Sequence, residues 1–171
     1  FIIENNINSI FKFQIQGKKI SYNNIIDVDS GMKCLNEFKE PTCVIIKHTN
    51  PCGVASDRKI NNSIIKALNT DKESSFGGIV LINRKLDLSA AKILSEDFFE
   101  IVVAPDFDKK ALKIFGEKKK LIVLKIKKLI PKSKAFISTS FGSLYQKIDY
   151  IKINKKFIKL ASSKRATEAV I

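Results

Sequence analysis

The sequence predicts an α/β protein: a mostly parallel sheet with helices covering both faces. Three observations carry this. Short β-branched apolar runs alternate with segments whose apolar residues recur at helical spacing. The 171 residues suit one domain, long enough to bury about two-thirds of the unfolded surface. The apolar fraction is ordinary for a globular protein, and no apolar run approaches the ~20 residues that span a bilayer.

In chain order, residues 13–16 read as a short strand closed by Gly17. Residues 24–39 carry Ile25, Val28, Met32, Leu35 and Phe38 at helical spacing, with Pro41 as the stop. Residues 42–46 read as the central strand, with Val44 to Ile46 as its buried apolar run. Ile60, Ile64, Ile65 and Leu68 give one face of a second helix, and residues 70–75 read as a polar loop. A strand over 78–82 follows, then a helix capped by Ser89 through Ala90, Ala91, Ile93 and Leu94. Residues 101–104 form a strand ended by Pro105. Asp108 caps a helix through Ala111, Leu112 and Phe115 that ends near Gly116, and residues 121–124 return to strand. Beyond Pro131, residues 135–138 and 142–146 read as antiparallel additions, and the chain from Ile148 is Lys-rich.

The chemistry concentrates in one stretch, Lys47-His48-Thr49-Asn50-Pro51-Cys52-Gly53-Val54-Ala55. The strand over 42–46 ends in a cation and the sole histidine. Asn50-Pro51 and Gly53 supply turn chemistry for a tight loop. Lys47 and His48 thus sit at a strand's carboxyl end, where ligands bind in open α/β sheets. A lone histidine there is more often a hydrogen-bonded structural residue than a catalyst. The neighbouring ammonium disfavours an imidazolium, however, and suits a neutral ring acting as base.

Composition narrows the function classes. Cys34, Cys43 and Cys52 are an odd count without framework spacing, which argues for reduced thiols and a cytosolic setting. Cys52 reads as a small residue fitting a tight loop rather than as a nucleophile. The net charge of +14 invites a nucleic-acid reading, but the lysines are spread along the chain without an aromatic RNA-binding signature. The positive field favours anionic substrates. A zinc deaminase needs His-x-Glu and Pro-Cys-x-x-Cys. Here Asn50 stands where the Glu belongs and Ala55 where the second Cys belongs, which leaves two ligands and no metal site. Residues 1–6 carry no signal peptide, and a start at Phe1 suggests a piece of a longer chain.

Lys47 to Ala55 resembles the Lys-His-x-Asn-Pro-Cys-Gly-Val-Ala loop of the transformylase domain in the bifunctional AICAR transformylase/IMP cyclohydrolase family. Three further stretches match in order: Gln16-Gly17-Lys18 with Ser21-Tyr22-Asn23-Asn24, Ser74-Ser75-Phe76-Gly77-Gly78-Ile79-Val80 with Asn83-Arg84, and Val102-Val103-Ala104-Pro105. The resemblance runs from Phe1 to about Lys164. It implies that residues 1–171 are the first part of such a domain, incomplete at both ends, with a three-layer α/β/α, cytidine deaminase-like fold.

The resemblance also implies the reaction: formyl transfer from 10-formyltetrahydrofolate, as co-substrate, to the exocyclic amine of AICAR. His48 would be the general base and Lys47 the oxyanion stabiliser. Asn23, Asn50, Phe76, Gly77 and Glu100 would contact the nucleotide, and no metal would take part. It implies a cytosolic homodimer formed through the complete chain, with neither membrane nor nucleic acid as partner. Departures are visible. The family's upstream Arg-Tyr-Gly segment is absent, Asp71-Lys72-Glu73 replaces Asp-Pro-Thr, and Phe141 stands at a family glycine. The second half of the domain is missing as well, so the 171 residues alone are expected to be inactive. A reading from another class is a catalytically inactive nucleotide- or RNA-binding module of the same fold.

Overall fold

The computed structural model describes residues 10–127 and 134–148. Two compact units separate, Phe1–Ile130 and Pro131–Ile171. The described elements of the first unit are β1 (Gln14–Gln16), α1 (Tyr22–Leu35), β2 (Thr42–Lys47), β3 (Asn50–Ser56), α2 (Ile60–Thr70), α3 (Lys72–Ser75), β4 (Ile79–Ile82), α4 (Leu88–Ser95), β5 (Ile101–Ala104), α5 (Lys109–Gly116) and β6 (Ile122–Lys125). A 3₁₀ turn, Ile10–Phe13, leads into β1.

The six strands make one sheet in the order β1-β6-β5-β4-β2-β3. β4, β5 and β6 pair in parallel, while β2 is antiparallel to both β4 and β3, and β1 is antiparallel to β6. β3, β4, β5 and β6 therefore run one way, and β1 and β2 the other.

Period-two alternation divides the strands between two cores. Cys43, Ile45, Val80, Ile82, Val102 and Val123 face α2, α4 and α5, which bring Ile64, Ala67, Ala90, Leu94, Ala111 and Phe115. Val44, Ile46, Leu81, Val103 and Leu124 face the other way, toward Val28, Met32 and Leu35 of α1. Ile45 and Ile46 are both 0% exposed, one in each core. Full burial of such a side chain is worth ~1.5–3 kcal/mol. Helices on both faces of one sheet are the layering expected from the alternation of runs.

Four expectations need correction. The tight loop at residues 50–55 is strand β3. Pro51 is tolerated because β3 is the sheet edge, where a missing N–H costs no ladder bond. The register slips between Ile45↔Gly53 and Ile46↔Pro51, leaving Cys52 as the extra residue of a bulge. The polar loop at 70–75 contains the single turn α3, whose N-cap Asp71 accepts a bond from the Ser74 amide at 2.9 Å. α4 begins two residues earlier than read: Asp87, not Ser89, is the cap, its Oδ1 accepting from Ala90 N at 2.8 Å. α1 ends at Leu35, before Phe38.

The second unit contributes a hairpin of β7 (Lys134–Thr139) and β8 (Gly142–Lys147), the antiparallel pair expected near these positions. Its cross-strand partners include Phe136↔Tyr145 and Ile137↔Leu144. The Lys-rich segment beyond Ile148 lies outside the described residues.

Candidate functional site

The carboxyl end of β2 carries Lys47, and the chain reverses over His48 and Thr49 to enter β3. Lys47 pairs with Asn50, so the connection is a two-residue hairpin. Both central residues are left-handed, with φ of 54° at His48 and 65° at Thr49. This is the turn geometry that matches strand twist, and it usually falls to Asn and Gly. Non-glycine residues in that region carry ~1–3 kcal/mol of strain each. β-Branched threonine is among the least suited.

Because β2 runs against its neighbours, its carboxyl end lies beside the amino ends of β4 and β5. The rule placing ligands at the carboxyl ends of parallel strands therefore does not account for this site. An open cleft of about 720 Å³ forms there, floored by Ile46, Gly78 and Ile79 and walled by the start of α1.

Lys47, His48, Asn23, Phe76, Gly77 and Glu100 all line this cleft. Four separate elements thus deliver six of the residues singled out from the sequence to one place. Asn50 is not among the lining residues. Its Nδ2 instead donates to the carbonyl of His48 at 2.9 Å, supporting the turn.

His48 is exposed, and no described residue hydrogen-bonds its imidazole. The ring is open to a ligand on either nitrogen. Lys47 is partly buried, and its Nζ donates to the carbonyl of Phe76 at 2.8 Å. The Phe76 ring stands out of the surface, 60% exposed, and leans on Phe98 with ring centroids 5.5 Å apart. Gly77 follows with φ of 72°, its amide bonded to the Phe98 carbonyl at 2.8 Å. Glycine meets that dihedral without strain, and it leaves the backbone beside Phe76 open to close approach.

Sequence reasoning missed several lining residues. Asn24 is buried where Asn23 is exposed, and its Nδ2 donates to Glu100 Oε2 at 2.9 Å. Asn24 also closes a capping box with Ser21, so it fixes the start of α1 and the Glu100 carboxylate together. The Ser21-x-x-Asn24 spacing was the available signal, one residue from the asparagine chosen. Lys18 reaches Glu100 at 4.0 Å, and with Lys19 and Lys47 it gives the rim positive charge. Asp27 lines the cleft as well.

Cys52 takes no part in the cleft. Its thiol points to the carbonyl of Ile45 at 3.6 Å and packs against the core on the α2 face. Burial raises its pKa above the ordinary thiol value. His48 and Cys52 therefore do not begin a shared ligand set. Among the described residues no three His, Cys, Asp or Glu side chains gather as metal ligands. No described helix is long and apolar enough to cross a membrane.

A family model described as the AICARFT/IMPCHase bienzyme matches residues 2–171. The bifunctional purine biosynthesis protein PurH of Caldicellulosiruptor saccharolyticus is 45% identical over 161 residues, covering 92% of this chain and 31% of that protein. PurH of Caldicellulosiruptor bescii is 50% identical over 139 residues, 80% of this chain and 27% of that one. The chain thus spans about a third or less of the length of these curated relatives. Among solved structures, Acinetobacter baumannii RibD (form 1) aligns with a TM-score of 0.47 at 17% identity, covering 60% of this chain and 35% of that one.

Proposed function

The chain belongs to the AICARFT/IMPCHase bienzyme family, and from that premise we propose that its cleft binds AICAR and serves formyl transfer from 10-formyltetrahydrofolate to give FAICAR in purine biosynthesis. The observation that carries the reading is convergence. Lys47 and His48 meet Phe76, Gly77, Asn23 and Glu100 at a single cleft although they come from distant parts of the sequence.

The chemistry follows from the substrate. The exocyclic amine of AICAR is conjugated with the neighbouring carboxamide and is a poor nucleophile. As its nitrogen attacks the formyl carbon, the exposed imidazole of His48 takes the amine proton. Such a base is worth ~10²–10⁴-fold. The carbonyl oxygen becomes an oxyanion, and Lys47, released from the Phe76 carbonyl, donates to it. One such donor is worth ~10²–10³-fold. Collapse breaks the bond from the formyl carbon to N10 of the folate, and the imidazolium returns its proton to that nitrogen. The exposed ring of Phe76 offers a stacking face for the aminoimidazole. The Asn24-anchored Glu100 offers an acceptor.

The same reading makes the intact protein a bifunctional enzyme that also acts as IMP cyclohydrolase, a cytosolic homodimer using no metal. The test is direct. Intact protein supplied with AICAR and 10-formyltetrahydrofolate forms FAICAR and tetrahydrofolate in equal amounts. Binding of AICAR without any product would refute the transferase and favour the inactive nucleotide-binding module.

A further inference from the structure

The turn that carries His48 is strained, and the hairpin alone does not explain why it holds. In a two-residue hairpin the amide and carbonyl of the second turn residue lie outside the ladder. At Thr49 both are taken by α1. The Thr49 amide donates to Asp27 Oδ1 at 2.8 Å, and the Thr49 carbonyl accepts from Ser30 Oγ at 2.6 Å. Asp27 and Ser30 are three apart on one helix, so they share a face. Together they grip one residue from both sides, through the peptide units before and after it.

We propose that Asp27 and Ser30 are positioning residues: they hold Thr49 in its left-handed conformation and so fix where His48 presents its imidazole to the cleft. The proposal rests on the reading of His48 as the base. The grip also joins two walls of the cleft. α1 brings Asn23 and Asn24 from its first turn, and its next turns tie down the hairpin tip. An error of about 1 Å in such a placement can cost ~10²-fold in rate.

The test uses the intact protein and two readouts. Asp27→Ala should speed hydrogen exchange at the Thr49 amide at least tenfold while the β2–β4 ladder keeps its protection. It should lower kcat for formyl transfer about tenfold or more, with KM for AICAR within about twofold. Asp27→Asn retains an acceptor oxygen and should recover most of the rate. In a Thr49→Gly background, where the residue adopts positive φ unaided, Asp27→Ala should cost less than about threefold. Should Asp27→Ala fail to melt cooperatively, Ser30→Ala reads the same effects from the carbonyl side of Thr49.

Unchanged exchange at Thr49 would overturn the proposal, as would faster exchange with undiminished kcat, or an Asp27→Asn variant as slow as Asp27→Ala. If the wild-type protein transfers no formyl group, the reading of its function fails. The grip is then judged by exchange alone, in the wild type and the Thr49→Gly background.

Discussion

The ammonium of Lys47 lies 2.8 Å from the carbonyl oxygen of Phe76. One residue ends the strand that delivers His48, and the other offers the exposed ring of the cleft. The cation thus rests on backbone at the cleft, where the proposed reading has it stabilise an oxyanion. Lys47→Met keeps much of the side chain's length and removes the charge. It should lower kcat by ~10²-fold or more while AICAR affinity changes little, because the interaction strengthens in the transition state. Initial-rate kinetics on the intact protein check this; a loss confined to KM would assign Lys47 to ground-state binding.

Asn24 joins two tasks that are separable by measurement. Its side chain closes the box with Ser21 and donates to Glu100 at 2.9 Å. Asn24→Ala should cost about 1 kcal/mol of stability, because the half of the capping box that accepts from the Ser21 amide is lost. It should also raise KM for AICAR by releasing Glu100. Asn23→Ala, on the exposed neighbour, should leave the melting temperature unchanged. Thermal melts and substrate titration of the two variants distinguish cap from contact.

Asp57 gives the acid limb of stability. Lys66 Nζ donates to its Oδ2 at 2.7 Å, while the Lys59 amide and Asn62 Nδ2 donate to Oδ1, both at 3.1 Å. Bonding to Lys66 foremost, then to Lys59 and Asn62, lowers its pKa from the ordinary 3.8. A depressed folded pKa means the stabilisation is present above the unfolded value and fades as the pH drops below it. Melting temperature should therefore fall as pH is lowered from about 4. Asp57→Asn, which keeps an acceptor for the start of α2, should flatten that fall. An equally steep acid limb in the variant would assign the loss to other carboxylates.

Much of this was legible in the sequence. β5, at Ile101–Ala104, matches its apolar run residue for residue, because strands buried on both faces leave no polar interruption. The hairpin at His48 was hidden by its own chemistry. Its turn uses His and Thr where Asn-Gly is the usual signal, while Asn50-Pro51 and Gly53 mimic a loop inside an edge strand. Gly53 is there for packing: a Cβ would stand 2.3 Å from the Ala67 carbonyl oxygen of α2. Strand direction was equally hidden. Nothing local to residues 42–46 states that β2 opposes β4, and that reversal sets the cleft at the amino ends of the parallel strands. The roles of Asp27 and Ser30 depend on a contact across the fold, which no spacing within α1 announces.

The central claim is that the imidazole of His48 is the base in formyl transfer at this cleft. Single-turnover formation of FAICAR by the intact protein, wild type against His48→Ala at saturating folate, tests it most directly. The account predicts a loss of ~10²-fold or more in the transfer step, with AICAR affinity within a few-fold and an unchanged melt. A His48→Ala protein that keeps more than about a tenth of the wild-type rate would contradict it.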